Sequence, residues 1–345
     1  MVATVAAYSA VLFSAVSKLQ EHLGEVSTLD ETKLFDSAVR QCGLITEPVQ
    51  VALIPARLWL TSRGLRRYFS RWRALELDHR AVTSRTLVPL ASTRVRVGAC
   101  LVAALCLGVC LPWAARGSAS LGFLLAYSAL VFTNLLAWCA LCSALGSSAR
   151  QLSQCLHAQL SAPSARPWTP QVAGYPRLWL RLSDLETQTG DVLCLNFLVD
   201  FLNASAKIAI YVYRDLVSRS GTAHFFAALN ILILFLSLNA AYDANREVNT
   251  IFREKLLTLH SETKEEDLKQ QLLEFIYVTS CGESKNSLGG FLTCDRSLFT
   301  AMFQALVMYV VILLQLQMQF SSGPDSRCNS TSGNTTVAER TQHPA

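Results

Sequence analysis

The feature that most constrains the fold is an apolar run near the end of the chain, residues 298–318, which follows the charged pair Asp295 and Arg296. At about 1.5 Å per helical residue the run reaches about 30 Å, enough to cross the hydrocarbon core of a bilayer. It nevertheless carries polar amides in its interior, among them Gln304 and Gln315. Because an amide in lipid is costly unless it meets a polar partner or water, we predict that one face of this last helix lies against a partner helix or a water-filled path.

The composition is that of a membrane protein. Hydrophobic residues make up 51% of the 345 residues and charged residues only 16%, whereas a soluble domain carries about 25% charged residues. The sequence has no Gly-rich phosphate loop, no H-E-x-x-H pair and no nucleophile elbow, and its six histidines are scattered. We therefore predict an all-α polytopic membrane protein that is not an enzyme, and we expect no cofactor, no metal ion and no nucleic-acid partner.

Five segments have the length and apolarity of membrane spans, and two shorter apolar segments precede them. The five are residues 97–114, 121–145, 192–213, 224–242 and 298–318. The two are residues 2–16 and 45–60, the second of which is interrupted by Glu47, Pro48, Pro55 and Arg57. We favour seven transmembrane helices. If only one of the two short segments crosses, the total is six and the chain is N-terminally incomplete.

The distribution of arginines predicts the orientation. Residues 57–96 contain only two acids, Glu76 and Asp78. Their arginines include Arg63, Arg66, Arg67, Arg71, Arg73, Arg80, Arg85 and Arg94. Such a block between spans lies on the cytoplasmic side. Counting from it, the N-terminus is inside and the C-terminus outside.

The tail after the last span supports the same orientation. Residues 321–345 are polar and rich in Ser and Thr, which predicts a disordered extracellular tail. The tail holds two glycosylation sequons, at Asn329 and Asn334. If these sequons are used, the C-terminus is outside the cell.

Two opposite charges interrupt the third of the five clear spans. Asp200 and Lys207 are seven residues apart, so they lie on the same helix face two turns from each other. The favoured interpretation is that they reach the interface or pair with neighbouring helices. A direct role in binding a ligand or an ion is the alternative.

A charged helical segment separates the bundle, residues 1–242, from the last helix, residues 298–320. Within residues 243–297, apolar positions recur on one helix face, and residues 263–266 have the pattern of a capping box that opens a second helix. The apolar positions are Val248, Ile251, Phe252, Leu256 and Leu259. This face either packs under its own bundle or forms an intracellular platform where subunits meet. Residues 281–290 are expected to form a flexible turn.

The C-terminal motifs resemble those of the arthropod gustatory receptors, which are related to insect odorant receptors. Gly290 and Phe291 begin the pattern, and Tyr309, followed after five hydrophobic residues by Gln315, ends it. The chain departs from the family pattern at Leu292, Met308 and Leu316. The resemblance covers the chain from about Arg57 onward and is sharpest in the last seventy or so residues.

The resemblance implies a chemosensory receptor of the plasma membrane that is a ligand-gated, non-selective cation channel opened by a small-molecule tastant. It implies four subunits, identical or related, each of which contributes its last helix to one central pore. The intracellular helices would hold the subunits together within the lipid bilayer. The competing classes are a non-channel seven-helix receptor, an auxiliary subunit and a small-solute transporter.

The pore residues follow from the resemblance and from the physics of a gate. A pore helix needs a polar side chain that faces water and an apolar ring that dewets. Gln315 is expected to supply the amide. Leu316 is the first candidate for the gate ring, and Ile312 is the second. Tyr309 lies about 240° around the helix from Gln315 and is expected to pack against a neighbouring helix. The alternative for Gln315 is an interhelical hydrogen bond without conduction.

The ligand pocket is expected among the outward halves of the middle spans. Aromatic rings with a few polar groups suit sugars, alkaloids and lipids alike. The candidate residues are Trp113, Tyr127, Tyr211, His224, Phe225 and Asn230. Packing and membrane-interface roles are the alternatives for these side chains.

Overall fold

A computed structural model of the protein describes residues 17, 20, 31–87, 121–161, 173–218, 221–282, 287–288 and 292–321. Within these residues the chain is almost entirely helical. The helices are α1 (Glu31–Thr83), α2 (Leu121–Leu160), α3 (Gly174–Ser218), α4 (Gly221–Asn245), a π-helix (Arg246–Ile251), α5 (Phe252–Glu262), α6 (Glu266–Cys281) and α7 (Arg296–Ser321). Two strands, β1 (Ser287–Leu288) and β2 (Leu292–Thr293), precede α7.

Several of these helices are long and apolar enough to cross a membrane. In the described residues three pass by length and composition, Val131–Leu160, Phe226–Glu262 and Arg296–Gln319. Helix α3 is a fourth if its two parts, Gly174–Leu193 and Asn196–Leu216, which are bent by 56° relative to each other, form one span. These helices contain four of the expected spans, so the predicted helical membrane fold is confirmed. The expected spans 2–16 and 97–114 lie outside the described residues, and the total of seven stays a prediction.

The segment 45–60 is part of α1, which continues without a break through Pro48 and Pro55. Glu47, Pro48, Pro55 and Arg57 interrupt the apolar run but not the helix. Proline is tolerated inside membrane helices where neighbouring groups satisfy the carbonyl that its ring leaves without a donor. The helix extends well beyond the expected span, because α1 continues to Thr83.

Helix α3 is the centre of the bundle, and α1, α2, α4 and α7 all contact it. The part of α3 before its bend has several fully buried large side chains, among them Tyr175, Trp179 and Leu182. The part after the bend has Phe197 and Phe201 in the same core. Charged residues on the buried faces of α3, discussed below, need polar or charged partners within the bundle because burial without them is costly.

Helix α4 continues through the π-helix into α5, so that the span and the charged segment after it form one rod. Val248, Phe252, Leu256 and Leu259, four of the five predicted positions, are buried in the common core, and Ile251 is half-buried. The predicted amphipathic face therefore packs against its own chain. We call the end of the bundle that carries α5 and α6 the anchor end.

The predicted capping box before α6 is wrong. The helix begins at Glu266, and its N-cap Glu265 makes no side-chain capping hydrogen bond. The Thr263 hydroxyl donates instead to the Leu259 carbonyl oxygen, 2.7 Å away, and so closes the end of α5. Thr263 is the C-cap of α5, so its side chain lies against the preceding helix and not over the first amides of α6.

A small hairpin stands where a flexible turn was expected. Strands β1 and β2 pair antiparallel, with Ser287 opposite Thr293 and Leu288 opposite Leu292. Asp295 then begins α7, since its Oδ1 accepts hydrogen bonds from the Leu298 amide at 3.0 Å and the Ser297 hydroxyl at 2.5 Å. The hairpin and this cap fix where the last helix starts.

Candidate functional site

A cavity of about 140 Å³ lies between α2, α3 and the part of α4 that follows Phe226. Its lining combines aromatic rings with amide and charged side chains. The aromatic residues are Phe132, Trp138, Phe197, Phe201, Tyr211 and Phe226. The amide and charged residues are Asn134, Asn196, Asp200, Asn203, Lys207 and Asn230. An apolar pocket with a few convergent polar groups is the usual form of a small-molecule site.

The aromatic wall is held in place by ring contacts between helices. Trp138 of α2 packs on Phe197 of α3, with 4.5 Å between ring centroids, and Phe197 stacks on Phe201 at 6.0 Å. A second ring contact joins α3 to α4, where Tyr211 stacks on Phe226 with 5.7 Å between ring centroids. These pairs give the cavity two fixed aromatic walls, because stacked rings lose orientational freedom.

The polar wall is an ion pair between α1 and α3. Arg57 is 4% exposed, and its Nη2 lies 3.1 Å from Oδ1 of Asp200. The Asn134 amide donates to Oδ2 of the same carboxylate at 3.3 Å. The prediction that Asp200 pairs with a neighbouring helix is confirmed. Lys207 lines the same cavity and is buried, so the two charges share one face of α3 as predicted.

Arg57 also stabilises the bend of α3. Its Nη2 donates to the Asn196 carbonyl oxygen at 2.7 Å, and its Nε donates to the Asn196 side-chain oxygen at 3.1 Å. A bend weakens the hydrogen-bond ladder of a helix, and a buried carbonyl then needs another donor. One arginine therefore supports the bend and balances the carboxylate beside it.

Two of the six predicted pocket residues, Tyr211 and Asn230, line this cavity. His224 is not among its described lining residues; its Nδ1 lies 2.6 Å from a carboxylate oxygen of Asp215, close to the connection between α3 and α4. Trp113 lies outside the described residues. For Tyr127 and Phe225 the structure describes the helical backbone and not the side chain.

The sequence prediction missed Arg57, Asn134, Trp138 and Phe197 as residues in or beside the site. For Arg57 a signal was present, since it is a cation inside one apolar segment and Asp200 is an anion inside another. Opposite charges within membrane helices tend to pair. The other three look like ordinary helix residues until the bundle brings them together.

Helix α7 is bound to its own chain along one narrow stripe. Met302 and Leu306 are buried, whereas only 11% of its apolar span is buried, against 39% for that of α2. At the start of the helix Arg296 donates to Asn239 at 2.9 Å and lies 4.2 Å above the ring of Tyr242. The rest of the helix surface is left to lipid or to other molecules.

Three predicted residues of α7 differ in exposure. Gln315 and Ile312 are exposed, Ile312 by 45%, and Leu316 is half-buried. Tyr309 is 63% exposed. The motif residues Gly290 and Phe291 and the sequon residues Asn329 and Asn334 lie outside the described part of the chain.

Comparison with known proteins decides the family. The profile of the 7tm chemosensory receptors matches residues 27–320. The chain belongs to the 7tm chemosensory receptor family. This confirms the resemblance to gustatory receptors, and it places the chain among receptors rather than enzymes.

Named relatives of this family agree with the assignment. The chain is 27% identical over 305 residues to gustatory and odorant receptor 24 of Anopheles gambiae, which covers 85% of this chain and 65% of that receptor. The chain thus spans slightly less than two thirds of this relative's length.

Solved structures support the fold of this chemosensory receptor. The olfactory receptor OR5 from Machilis hrabei is similar, with a TM-score of 0.59 and 13% identity over 89% of this chain and 88% of that one. The same receptor in complex with eugenol has a TM-score of 0.61 and 11% identity over the same shares. At such identities the likeness shows the fold alone.

Proposed function

We propose that this chain is a gustatory-receptor-like ligand-gated, non-selective cation channel of the plasma membrane, opened by a small-molecule tastant. Four subunits, identical or related, surround a pore formed by α7 of each. The observation that carries this proposal is the face of α7 that points away from the chain's own helices, because it bears the two exposed amides Gln304 and Gln315.

The exposed amides lie on one stripe. At about 100° per residue, positions 304, 308, 311 and 315 share one face of an α-helix. All four residues are exposed, and the buried Met302 and Leu306 lie roughly opposite. Two amides facing lipid on one stripe would be costly, whereas around a shared axis they would contact water and passing cations.

The gate would be an apolar ring beside Gln315. Ile312 lies about 60° around the helix from Gln315 and Leu316 about 100°. Both remain candidates: Leu316 occupies the family's motif position, and Ile312 is the more exposed of the two. A ring of such side chains closes a pore by excluding water.

The ligand would bind in the cavity between α2, α3 and α4. One solved relative is in complex with eugenol. The aromatic walls here, with the Asn134 amide and the Asp200 carboxylate beside them, suit a small ligand that carries both a ring and a hydrogen-bonding group.

The topology proposed with this function has the N-terminus inside and the C-terminus outside. The anchor end, with residues 243–297, would then be cytoplasmic and would hold the subunits together. Exposed apolar side chains on α5 and α6, including Leu257, Leu273 and Tyr277, are available for such contacts. The tail would be glycosylated at Asn329 and Asn334.

The test is whole-cell recording from cells that express the chain, alone and with related subunits, during application of sugars, bitter compounds and phenols. We expect a cation current whose ion selectivity changes in Gln315→Ala. Gln317→Ala is the matched control, since this half-buried glutamine is the same residue type at a similar depth on another face. Leu316→Ala and Ile312→Ala test which residue forms the gate. The variant at the gate position is expected to raise the current measured without ligand.

Other outcomes would favour the competing classes. A surface-expressed chain that changes the current of a related subunit, with no effect of Gln315→Ala, indicates an auxiliary subunit. Uptake of a solute without current indicates a transporter. A ligand response that persists with no current of any kind indicates a non-channel receptor.

A further inference from the structure

We propose that Arg63, Arg66 and Arg67 form a binding site for the headgroups of anionic phospholipids at the end of the predicted span 45–60 of α1. The proposal rests on that segment crossing the bilayer, as in the topology proposed above. The site lies at the anchor end, away from the cavity and away from the stripe of α7. It adds a lipid ligand to the small-molecule ligand proposed above, and its test needs no channel current.

Packing between helices places these arginines at the membrane boundary. Gly64 of α1 lies against Val192, where the apolar part of α3 begins, so that a Cβ on Gly64 would be 3.4 Å from the valine Cγ2. Two residues earlier on α3, Gly190 lies against the backbone of Ser287 in the hairpin that leads into α7. The end of the apolar segment of α1, the start of the apolar part of α3 and the hairpin that leads into α7 therefore lie close together. Leu60, one turn earlier on α1, is 61% exposed, as expected of a side chain facing lipid.

Helix geometry decides which arginines can reach the headgroups. At about 1.5 Å per residue, Arg63 lies about 4.5 Å and Arg67 about 10.5 Å beyond Leu60. The headgroup layer of one leaflet is about 5–8 Å thick, so an arginine side chain reaches it from each of these positions. Arg71 lies about 16 Å beyond Leu60 and pairs with Asp184 at 3.0 Å. It is therefore outside the proposed site.

Positive charge predominates on α1 at this level. Arg63, Arg66 and Arg67 are all exposed, and residues 48–75 of α1 contain no acid. Among the residues that the structure describes, none of the three arginines forms an ion pair, although Asp191 of α3 is exposed close to this level. Guanidinium groups bind phosphate with two parallel hydrogen bonds, so phospholipid phosphates are the matching partners.

Cationic side chains close to an anionic membrane surface each strengthen binding by about five-fold. Three of them make a measurable preference for anionic over zwitterionic lipid. A ligand that binds the folded state raises the midpoint of thermal unfolding, which gives a readout independent of activity.

The experiment measures Tm of the purified full chain in detergent, with added phosphatidylglycerol, phosphatidylcholine or inorganic phosphate. We expect phosphatidylglycerol to raise Tm above the value in phosphatidylcholine, and inorganic phosphate to leave it unchanged. The variant R63Q/R66Q/R67Q should lose most of the shift. The control R73Q/R80Q/R177Q removes three exposed arginines farther from the boundary and should keep it.

Equal shifts in the two triple variants, or an equal effect of inorganic phosphate, would overturn the proposal. If the first triple variant does not fold, single variants still test it. Each of R63Q and R67Q should weaken the apparent affinity for phosphatidylglycerol by about five-fold, whereas R67K keeps the charge and should stay within about two-fold of wild type. A neutral result for R67Q would likewise contradict the site.

Discussion

Arg57 of α1 and Asp200 of α3 form an ion pair, with 3.1 Å between Nη2 and Oδ1, inside the apolar part of the bundle. The arginine is nearly fully buried, and the carboxylate side chain is 21% exposed. A buried pair stabilises little beyond an apolar pair of the same shape, but removing one partner leaves a charge with no counter-ion. The pair therefore fixes how α1, α3 and the bend at Asn196 fit together.

Arg57→Met should destabilise the protein strongly. The substitution leaves Asp200 without its cation and the Asn196 carbonyl without its donor, a loss of about 3–5 kcal/mol for a broken buried pair. Thermal unfolding in detergent should show a fall in Tm of at least several degrees. The double variant Arg57→Met with Asp200→Leu should recover part of it.

The matched control for this pair is Arg71→Gln. Arg71 and Asp184 form a pair of the same type between the same two helices, but both side chains are more than half exposed. Exposed pairs contribute about 0–1 kcal/mol, so Tm should change little. Equal losses for Arg57→Met and Arg71→Gln would contradict the role of burial.

Trp179→Phe should loosen the joint between α3 and the π-helix. The fully buried Trp179 donates from Nε1 to the Val248 carbonyl oxygen at 3.1 Å. Phenylalanine removes this hydrogen bond, at a cost of about 0.5–1.5 kcal/mol.

A second tryptophan provides the comparison for this prediction. Trp72 is also buried, and its indole makes no hydrogen bond within the described part of the chain. Trp72→Phe removes a similar volume without removing a donor. We expect a larger fall in Tm for Trp179→Phe, and equal falls would mean that the hydrogen bond contributes nothing.

His79 should make the stability of the protein depend on pH. This side chain is buried near the end of α1, beyond the apolar segment, and burial lowers its pKa although the Arg85 carbonyl oxygen lies 3.1 Å from Nδ1. The folded state thus favours the neutral ring. Its contribution is fully present above the unfolded pKa of about 6.5. It is lost as pH falls from there through the lower folded pKa.

The measurement for His79 is Tm between about pH 7.5 and about pH 5.5. As pH falls over this range, the Tm of wild type should decrease more than the Tm of His79→Gln, whose side chain cannot be protonated. The rest of the chain is the same in both proteins, so the difference between the two profiles isolates His79. Parallel profiles would show that its protonation is not linked to folding.

Much of the bundle could be predicted from sequence because long apolar runs and helical periodicity are local signals. The runs at 121–145, 224–242 and 298–318 were found in this way, as was the apolar face from Val248 to Leu259. The continuity of α1 through Pro48 and Pro55 could not be predicted, because the local rule for proline is overridden by neighbouring groups.

The site was predicted less well because it depends on contacts far apart in sequence. Arg57 meets Asn196 and Asp200 across 139 and 143 residues, a distance over which periodicity carries no information. Of the predicted pocket residues, Tyr211 of α3 and Asn230 of α4 lie on the helix faces that line the cavity. His224 was chosen by its span alone, and the structure gives it Asp215 as a partner instead.

Gly190→Ala should disturb the entry into the last helix. A Cβ at Gly190 would overlap the Ser287 carbonyl oxygen, and this obstacle is backbone that cannot rotate away. Strand β1 would have to move away from α3, and with it the hairpin and the start of α7.

Gly146→Ala is the control for Gly190→Ala, since a Cβ there would be 3.5 Å from the nearest atom and alanine is the better helix former by about 1 kcal/mol. We expect Gly190→Ala to reduce Tm and surface expression, whereas the Tm of Gly146→Ala should match or exceed that of wild type. Normal expression and unchanged Tm in Gly190→Ala would contradict the close packing of the hairpin on α3.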